Sequence, residues 1–188
     1  MAILKIARMG NPVLMRPAEP VADPTSAEVK RLVADMIDTM DDAEGRGLAA
    51  TQVHVGKRVI VFRPPPDDAQ SPDDDSVPVL ALVNPEITPL TQETEDGWEG
   101  CLSVPGMRGV VPRVTRLRYR GTTPEGKLID RTVSGFHARV VQHEVDHLDG
   151  VLYPMRMKDL SLLVFESEWD KLMAVADPDV PGADRVDD

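Results

Sequence analysis

The segment from Ser134 to Gly150 constrains the fold of this chain more than any other stretch. Ser134 is a predicted N-cap, Gly150 is a predicted helix-ending glycine, and apolar residues recur between them at helical spacing. Within it, His143 and His147 stand four residues apart in the pattern H-E-x-x-H. Positions i and i+4 share one face of a helix, so the two imidazoles can hold one metal ion. A metal would also give buried histidines the polar partner they need.

The remaining parts of a catalytic metal site can be sought elsewhere in the sequence. Glu144 follows the first histidine, where a carboxylate can manage the protons of a water molecule on the ion. Two histidines leave such a site one protein ligand short, and the single cysteine, Cys101, can fill the vacancy as a thiolate. A free cysteine is more often a small buried hydrophobe, and a lone H-E-x-x-H also occurs on ordinary helices. The metal site therefore needs support from the rest of the chain.

Length and composition favour a single globular domain. A chain of 188 residues can bury a real core, and 41% of its residues are hydrophobic although only 4% are aromatic. We expect this domain to span residues 1–176 and to be followed by an acidic, flexible tail at residues 177–188.

Charge and cysteine content exclude several classes of function. The formal net charge of −11 disfavours direct binding to nucleic acid or to an anionic membrane. No apolar run reaches the length of about 18 residues that a membrane span needs, and the start of the chain lacks a secretory signal. A single cysteine cannot form an intrachain disulfide, which fits a reducing compartment. The sequence therefore predicts a cytoplasmic protein without a membrane partner.

Hydrophobic periodicity predicts an α+β fold. Thr25 and Glu28 read as a capping box that opens an amphipathic helix extending to Met40. Strands are expected at residues 58–62, 79–83, 114–120, 127–133 and 151–153, and a terminal helix at 160–175. The pair Asn84–Pro85 is expected to end the second of these strands. Mixed or antiparallel strands would surround the central metal-binding helix, with an N-terminal helix before it and a C-terminal helix after it.

Three motifs occur in order along the chain: G-x-G-L-A-A-x-Q at residues 45–52, E-G-C-L-S at 99–103 and Q-H-E-x-D-H at 142–147. Together they resemble the peptide deformylase family, whose members remove the formyl group from the N-terminal methionine of new proteins. Three motifs with matching spacing are far more specific than any one of them. The resemblance extends from Gly10 to about Tyr153, and it fades in the loop 63–78 and after Lys158.

The resemblance implies a catalytic metal centre. Cys101, His143 and His147 would bind one divalent ion, with water in the fourth position. The resemblance favours Fe(II), and Zn(II), Ni(II) or Co(II) could substitute. Glu144 would take a proton from the attacking water and pass it to the departing amine.

The resemblance also implies how substrate is held. The side-chain amide of Gln52 and the backbone N–H of Leu102 would face the oxygen that becomes negative in the intermediate. An extended peptide would add as a strand, and its methionine side chain would enter an apolar pocket. The implied substrate-binding residues are Arg46, Gly47, Gly100, Arg108, Trp98, Phe136 and Val140. The partners would be formyl-Met N-termini of nascent peptides, with transient association with the ribosome left open.

Two residues depart from the usual pattern of the family. Arg46 and Arg139 each replace a frequent aliphatic residue. The sequence therefore does not determine the shape of the substrate pocket. If both heads point to solvent, their stems can still pack. A further hypothesis is that Asp146 pairs with Arg113 and steadies the metal helix.

Two other functions remain as alternatives. A metal endopeptidase also uses H-E-x-x-H, but it would normally take its third ligand downstream of the helix, whereas Cys101 lies upstream. A non-catalytic metal-binding or ribosome-associated relative should have lost Glu144 or Gln52, and both are present.

Overall fold

Two antiparallel sheets lie against one central helix. The structure is a computed structural model that describes residues 2–63, 78–175 and 181. Its helices are α1 (Ala27–Asp42), α2 (Gly135–Leu148) and α3 (Trp169–Met173). Its strands are β1 (Gly47–Ala49), β2 (Val59–Phe62), β3 (Leu80–Pro89), β4 (Thr94–Cys101), β5 (Val104–Val114), β6 (Arg116–Thr122), β7 (Leu128–Ser134) and β8 (Val164–Phe165). The strands order as β1-β2-β3-β6-β7 in one sheet and as β4-β5-β8 in the other. The predicted α+β class is confirmed.

The larger sheet is covered by a helix on each face. Side chains of β2 alternate between the faces, so that Ile60 and Phe62 pack against α2, whereas Val59 and Val61 pack against α1. All four are fully buried. A strand buried on both faces reads as a continuous apolar run, which is why the sequence identified β2.

Helix α2 joins the two sheets. It contacts strands of the larger sheet on one side and β5 of the smaller sheet on the other. The predicted limits are correct, because Ser134 occupies the N-cap position and Gly150 follows the C-cap in the left-handed conformation. Helix α1 begins one residue later than the capping box suggested. Ser26 accepts the hydrogen bond from the N–H of Val29.

Strand β3 is longer than predicted. Asn84 does not end it, because the backbone at Asn84 is left-handed (φ 52°) and the pairing shifts register between Val83 and Glu86. This bulge accommodates one extra residue on β3, and the strand continues to Pro89. The side-chain amide of Asn84 also hydrogen-bonds to the backbone of Val21.

Two predictions near the C-terminus are wrong. Residues 151–153 form no strand, and Tyr153 instead begins a short 3-10 helix, Tyr153–Met155. Residues 160–175 are not one helix, because β8 lies within that range and pairs with β5. Pairing with an exposed strand edge satisfies the backbone there and overrides the helical periodicity. The predicted tail, residues 177–188, lies outside the described residues except for residue 181.

Candidate metal and substrate site

The three predicted metal ligands come together from two elements. Cys101 ends β4, whereas His143 and His147 lie one turn apart on α2. Sγ of Cys101 is 3.3 Å from Nε2 of His147, and the two imidazole ring centroids are 4.9 Å apart. One ligand atom from each residue lies within 4.8 Å of the other two. One thiolate and two imidazoles match the donor set of a catalytic divalent ion with an open position.

A carboxylate that the sequence analysis missed orients the first histidine. Oε2 of Glu99 lies 2.8 Å from Nδ1 of His143, which leaves Nε2 of that ring for the metal. Glu99 and Cys101 are two residues apart on β4, so their side chains leave the same face of the strand. That spacing within E-G-C-L-S is the signal that could have identified Glu99.

The buried guanidinium group of Arg113 fixes the position of Glu99. Both carboxylate oxygens accept from Arg113, at 2.8 and 2.9 Å, and Arg113 also donates to Asp146 at 2.6 Å. The predicted pair between Asp146 and Arg113 is therefore confirmed. Burial alone would raise the pKa of Glu99, but hydrogen bonds from Arg113 and His143 hold that pKa well below its ordinary value. Glu99 thus stays ionised and ties β4 and β5 to α2.

The two histidines have opposite electrostatic environments. Burial lowers the pKa of His147 well below its ordinary value, and a charge on His143 lowers it further. Burial also disfavours a charge on His143, yet its hydrogen bonds with Cys101 and Glu99 raise its pKa above the ordinary value. Without an ion, a proton is therefore favoured on His143 and disfavoured on His147, and a metal ion would have to displace that proton to bind both rings.

Buried polar atoms beside the ligands need a partner. Among the described residues, Oε2 of Glu144 and Nδ1 of His147 are buried without a hydrogen bond. Burial raises the pKa of Glu144 to about 7, although the charge of His143 opposes that effect. A buried carboxylate with a free oxygen next to a thiol and two imidazoles fits a site that holds an ion and a water molecule.

Gln52 reaches the same site from a different part of the chain. It lies in a 3-10 helix (Ala50–Val53) that follows β1, and it is buried. Its Oε1 accepts from the N–H of Ala49 at 2.8 Å, which fixes the amide orientation. Its Nε2 donates to the Ser103 hydroxyl at 3.1 Å and lies 3.6 Å from Sγ of Cys101. The amide N–H groups therefore point toward the metal ligands.

A cleft of about 600 Å³ opens in front of this cluster. It is bordered by Cys101, His143, Glu144, Gln52 and Leu102. All seven residues predicted to bind substrate also border it, namely Arg46, Gly47, Gly100, Arg108, Trp98, Phe136 and Val140. The structure thus brings the predicted residues together, while their individual roles stay predictions.

The head of Arg139 does not point to solvent. Its guanidinium donates to the backbone carbonyls of Gly97, Glu95 and Val111 and to Oε1 of Glu99. Arg139 therefore fastens the β4–β5 hairpin to α2 and borders the cleft beside the predicted methionine pocket. Arg46 is half-buried at the cleft.

Comparison with known proteins agrees with this geometry. The family model for polypeptide deformylase matches residues 3–162. Peptide deformylase 1 of Nitrosomonas europaea is 53% identical over 158 residues, which are 84% of this chain and 89% of that protein. Peptide deformylase 2 of Ralstonia nicotianae is 53% identical over 163 residues, or 87% of this chain and 92% of that protein.

Solved structures give the same result. A class I type b peptide deformylase from Acinetobacter baumannii with Met-Ala-Ser bound has a TM-score of 0.75 and 37% identity, covering 83% of this chain and 100% of that one. The peptide deformylase from Thermotoga maritima has a TM-score of 0.75 and 34% identity, covering 85% of this chain and 100% of that one. The fold, the ligand cluster and these relatives are mutually consistent.

Proposed function

Because this chain belongs to the polypeptide deformylase family, we propose that its Cys101, His143 and His147 cluster holds the metal ion of the family's reaction. That reaction removes the formyl group from the N-terminus of a nascent peptide and releases formate. When bound, the ion lowers the pKa of a water molecule and so supplies a nucleophile at neutral pH. The metal cofactor itself is supported by the family and by the clustered ligand atoms.

We favour Fe(II) as the native ion. A thiolate is a soft ligand that donates more charge than a carboxylate, which suits iron as well as zinc. Zn(II), Ni(II) and Co(II) are the alternatives, and metal analysis distinguishes among them.

Glu144 is proposed to move the proton. Its unpaired Oε2 lies in the buried pocket beside the ligands. This oxygen takes a proton from the attacking water as the new C–O bond to the formyl carbon forms. It then gives that proton to the amine nitrogen as the C–N bond breaks, so that formate and a free N-terminus result.

Gln52 and Leu102 are proposed to stabilise the oxygen that becomes negative. Gln52 is held through its Oε1 by Ala49, so its N–H groups are oriented before substrate binds. The backbone N–H of Leu102 would supply a second donor from the neighbouring hairpin. Donors fixed in advance stabilise charge without reorganisation, and losing one costs roughly 10²–10³ in rate.

The peptide is proposed to add as a strand between two sheet edges. β1, which contains Gly47, is the edge of one sheet, and β4, which contains Gly100, is the edge of the other. Edge strands offer unpaired backbone groups to an extended peptide, and glycines let it approach closely. The methionine side chain then enters the space near Trp98, Phe136 and Val140.

The proposed reaction also implies a cellular context for the protein. Formyl-Met N-termini emerge from the ribosome, so transient ribosome association would bring the enzyme to its substrate. A lone cysteine that must stay reduced to bind metal suits the cytoplasm. No helix among the described residues is long and apolar enough to cross a membrane.

The convergence of one thiol and two imidazoles from β4 and α2 is the observation that carries this function. The test is anaerobic purification with metal analysis, followed by formyl-Met-Ala-Ser deformylation by wild type and Glu144→Ala. We expect about one ion per chain in both proteins and turnover only in wild type. Cleavage of an internal peptide bond instead, or full turnover by the variant, would contradict the proposal.

A further inference from the structure

The C-terminal segment supplies a charged residue to the peptide cleft. Glu166 follows β8, and its side chain borders the cleft together with Gly100. It lies beyond residue 162, where the match to the family model ends.

Strand pairing fixes the position of Glu166. Val164 of β8 pairs with Arg108 of β5, and Arg108 pairs on its other side with Gly100 of β4. The Glu166 carboxylate bonds to Arg108 and approaches Gly100 of β4. A Cβ on Gly100 would lie 3.8 Å from Oε1 of Glu166, so the two are in near contact.

Glu166 forms an ion pair with Arg108, and its carboxylate can still bind a second cation. Oε1 accepts from Nε of Arg108 at 2.9 Å, and both side chains are about half exposed (48% each). Arg108 is further engaged by Trp169, whose ring centroid lies 5.4 Å from the guanidinium carbon. A carboxylate has about four lone-pair sites, so Glu166 can accept from Arg108 and from a substrate ammonium group together.

We propose that Glu166 is a specificity-determining residue that favours a basic side chain in the residues following the formyl-methionine. This rests on the proposed function, because it assumes a peptide strand along Gly100. The side chain of the second or third substrate residue then passes beside the Arg108–Glu166 pair. The net charge of −11 on the protein adds a field that also favours a cationic peptide over an anionic one.

The test compares kcat/KM for peptides that differ in one charge. Wild type and Glu166→Gln are assayed with formyl-Met-Lys-Ser and formyl-Met-Glu-Ser, and with formyl-Met-Ala-Lys and formyl-Met-Ala-Glu. Each value is normalised to formyl-Met-Ala-Ser for the same protein. We expect wild type to prefer lysine at one of the two positions, and Glu166→Gln to reduce that lysine-to-glutamate ratio about threefold.

Two controls isolate the charge of Glu166. Glu168→Gln removes an exposed carboxylate two residues away, which pairs with Lys171 outside the cleft, and should leave the ratio unchanged. Added salt should bring the wild-type ratio closer to one, and this arm needs no variant.

Failure of the selection proposal and failure of the proposed function give different results. Equal ratios in wild type and Glu166→Gln, or a uniform rise in KM for all peptides, would overturn the selection proposal. Absence of deformylation of formyl-Met-Ala-Ser by the metal-loaded wild type would instead overturn the proposed function.

Discussion

Gly47 is a glycine because Glu144 occupies the space beside it. A Cβ built on Gly47 would lie 2.6 Å from Cδ of Glu144, well inside the closest approach of real Cβ atoms. The buried carboxylate lies against β1, so it could avoid an added methyl group only by shifting into the cleft and away from its present position. The first motif of the sequence and the last one are thus joined by direct contact.

Gly47→Ala should therefore disable catalysis without removing the metal. The added methyl group would displace the carboxylate from the water it is proposed to deprotonate. We expect kcat to fall by roughly 10² or more, which is the scale of general acid–base catalysis, with metal content unchanged. Steady-state kinetics and metal analysis of the same preparation measure both quantities.

Gly56→Ala is the matched control. A Cβ on Gly56 meets no described atom within 4 Å, so kcat should stay at the wild-type level. A Gly47→Ala enzyme with wild-type kcat would show that Glu144 moves freely and that its position is not critical.

Motifs allowed the ligands to be predicted but not the residues that orient them. Cys101, His143 and His147 stand in patterns whose chemistry is readable residue by residue. Glu99 acts on His143, which is 44 positions further along the chain. The spacing of Glu99 from Cys101 could have placed Glu99 near the site, but it does not say which residue Glu99 contacts. Arg139 could only be noted as unusual, because its four acceptors lie on two other strands.

Among the elements, the β4–β5 hairpin was the least visible in the sequence. The burial of β4 follows no period of two, and glycines at 97, 100, 106 and 109 weaken any strand signal. Helices α1 and α2 and strand β2 were predictable because packing on the sheet imposes a regular apolar pattern. Besides a small apolar cluster that includes Val104 and Val111, the hairpin is held by polar contacts from Arg139 and Arg113, which leave no periodic pattern in the sequence.

Arg139 should be energetically coupled to Gly97. A Cβ on Gly97 would lie 2.7 Å from Nη2 and 2.8 Å from Cζ of Arg139, whose head is pinned by its hydrogen bonds. Gly97→Ala should therefore destabilise wild type, because the clash breaks those bonds. In an Arg139→Leu background the same change should cost much less.

A double-mutant cycle measures this coupling. The free energy of unfolding is determined in urea for wild type, both single variants and the double variant. We expect a coupling energy of about 0.5–3 kcal/mol, the range seen for residues in contact. Strictly additive effects would show that the hydrogen bonds of Arg139 to the hairpin can break without lowering the free energy of unfolding. Arg139 would then not fasten β4 and β5 to α2.

At the scale of the whole molecule, the three proposed metal ligands come from both layers of the fold. Cys101 belongs to the three-stranded sheet, whereas His143 and His147 lie on the helix that packs against the five-stranded sheet. An ion bound to all three residues cross-links the two sheets through α2. In the unfolded chain Cys101 is 42 positions from the nearer histidine (101 to 143), so the unfolded chain cannot offer the same site.

Removing the ion should consequently lower the stability of the entire domain. A ligand that binds only the folded state stabilises it by about 2.7 kcal/mol when its free concentration is 100 times Kd. For a chain of this length that corresponds to roughly 5–10 °C in Tm. The loss should be larger because the buried Glu144 oxygen is left without a water molecule on the ion as its partner.

Thermal unfolding of the chelated protein, followed by stoichiometric metal addition, measures the effect. The Tm should fall on chelation and return with the ion in wild type, whereas Cys101→Ala, with the cross-link cut at the sheet, should show at most a small response. Equal recovery in the variant would mean that the two histidines suffice and that the thiolate does not join the sheets through the ion. An unchanged Tm in wild type would mean that the pre-formed network of Glu99, Arg113 and Asp146 alone holds β4 and β5 against α2.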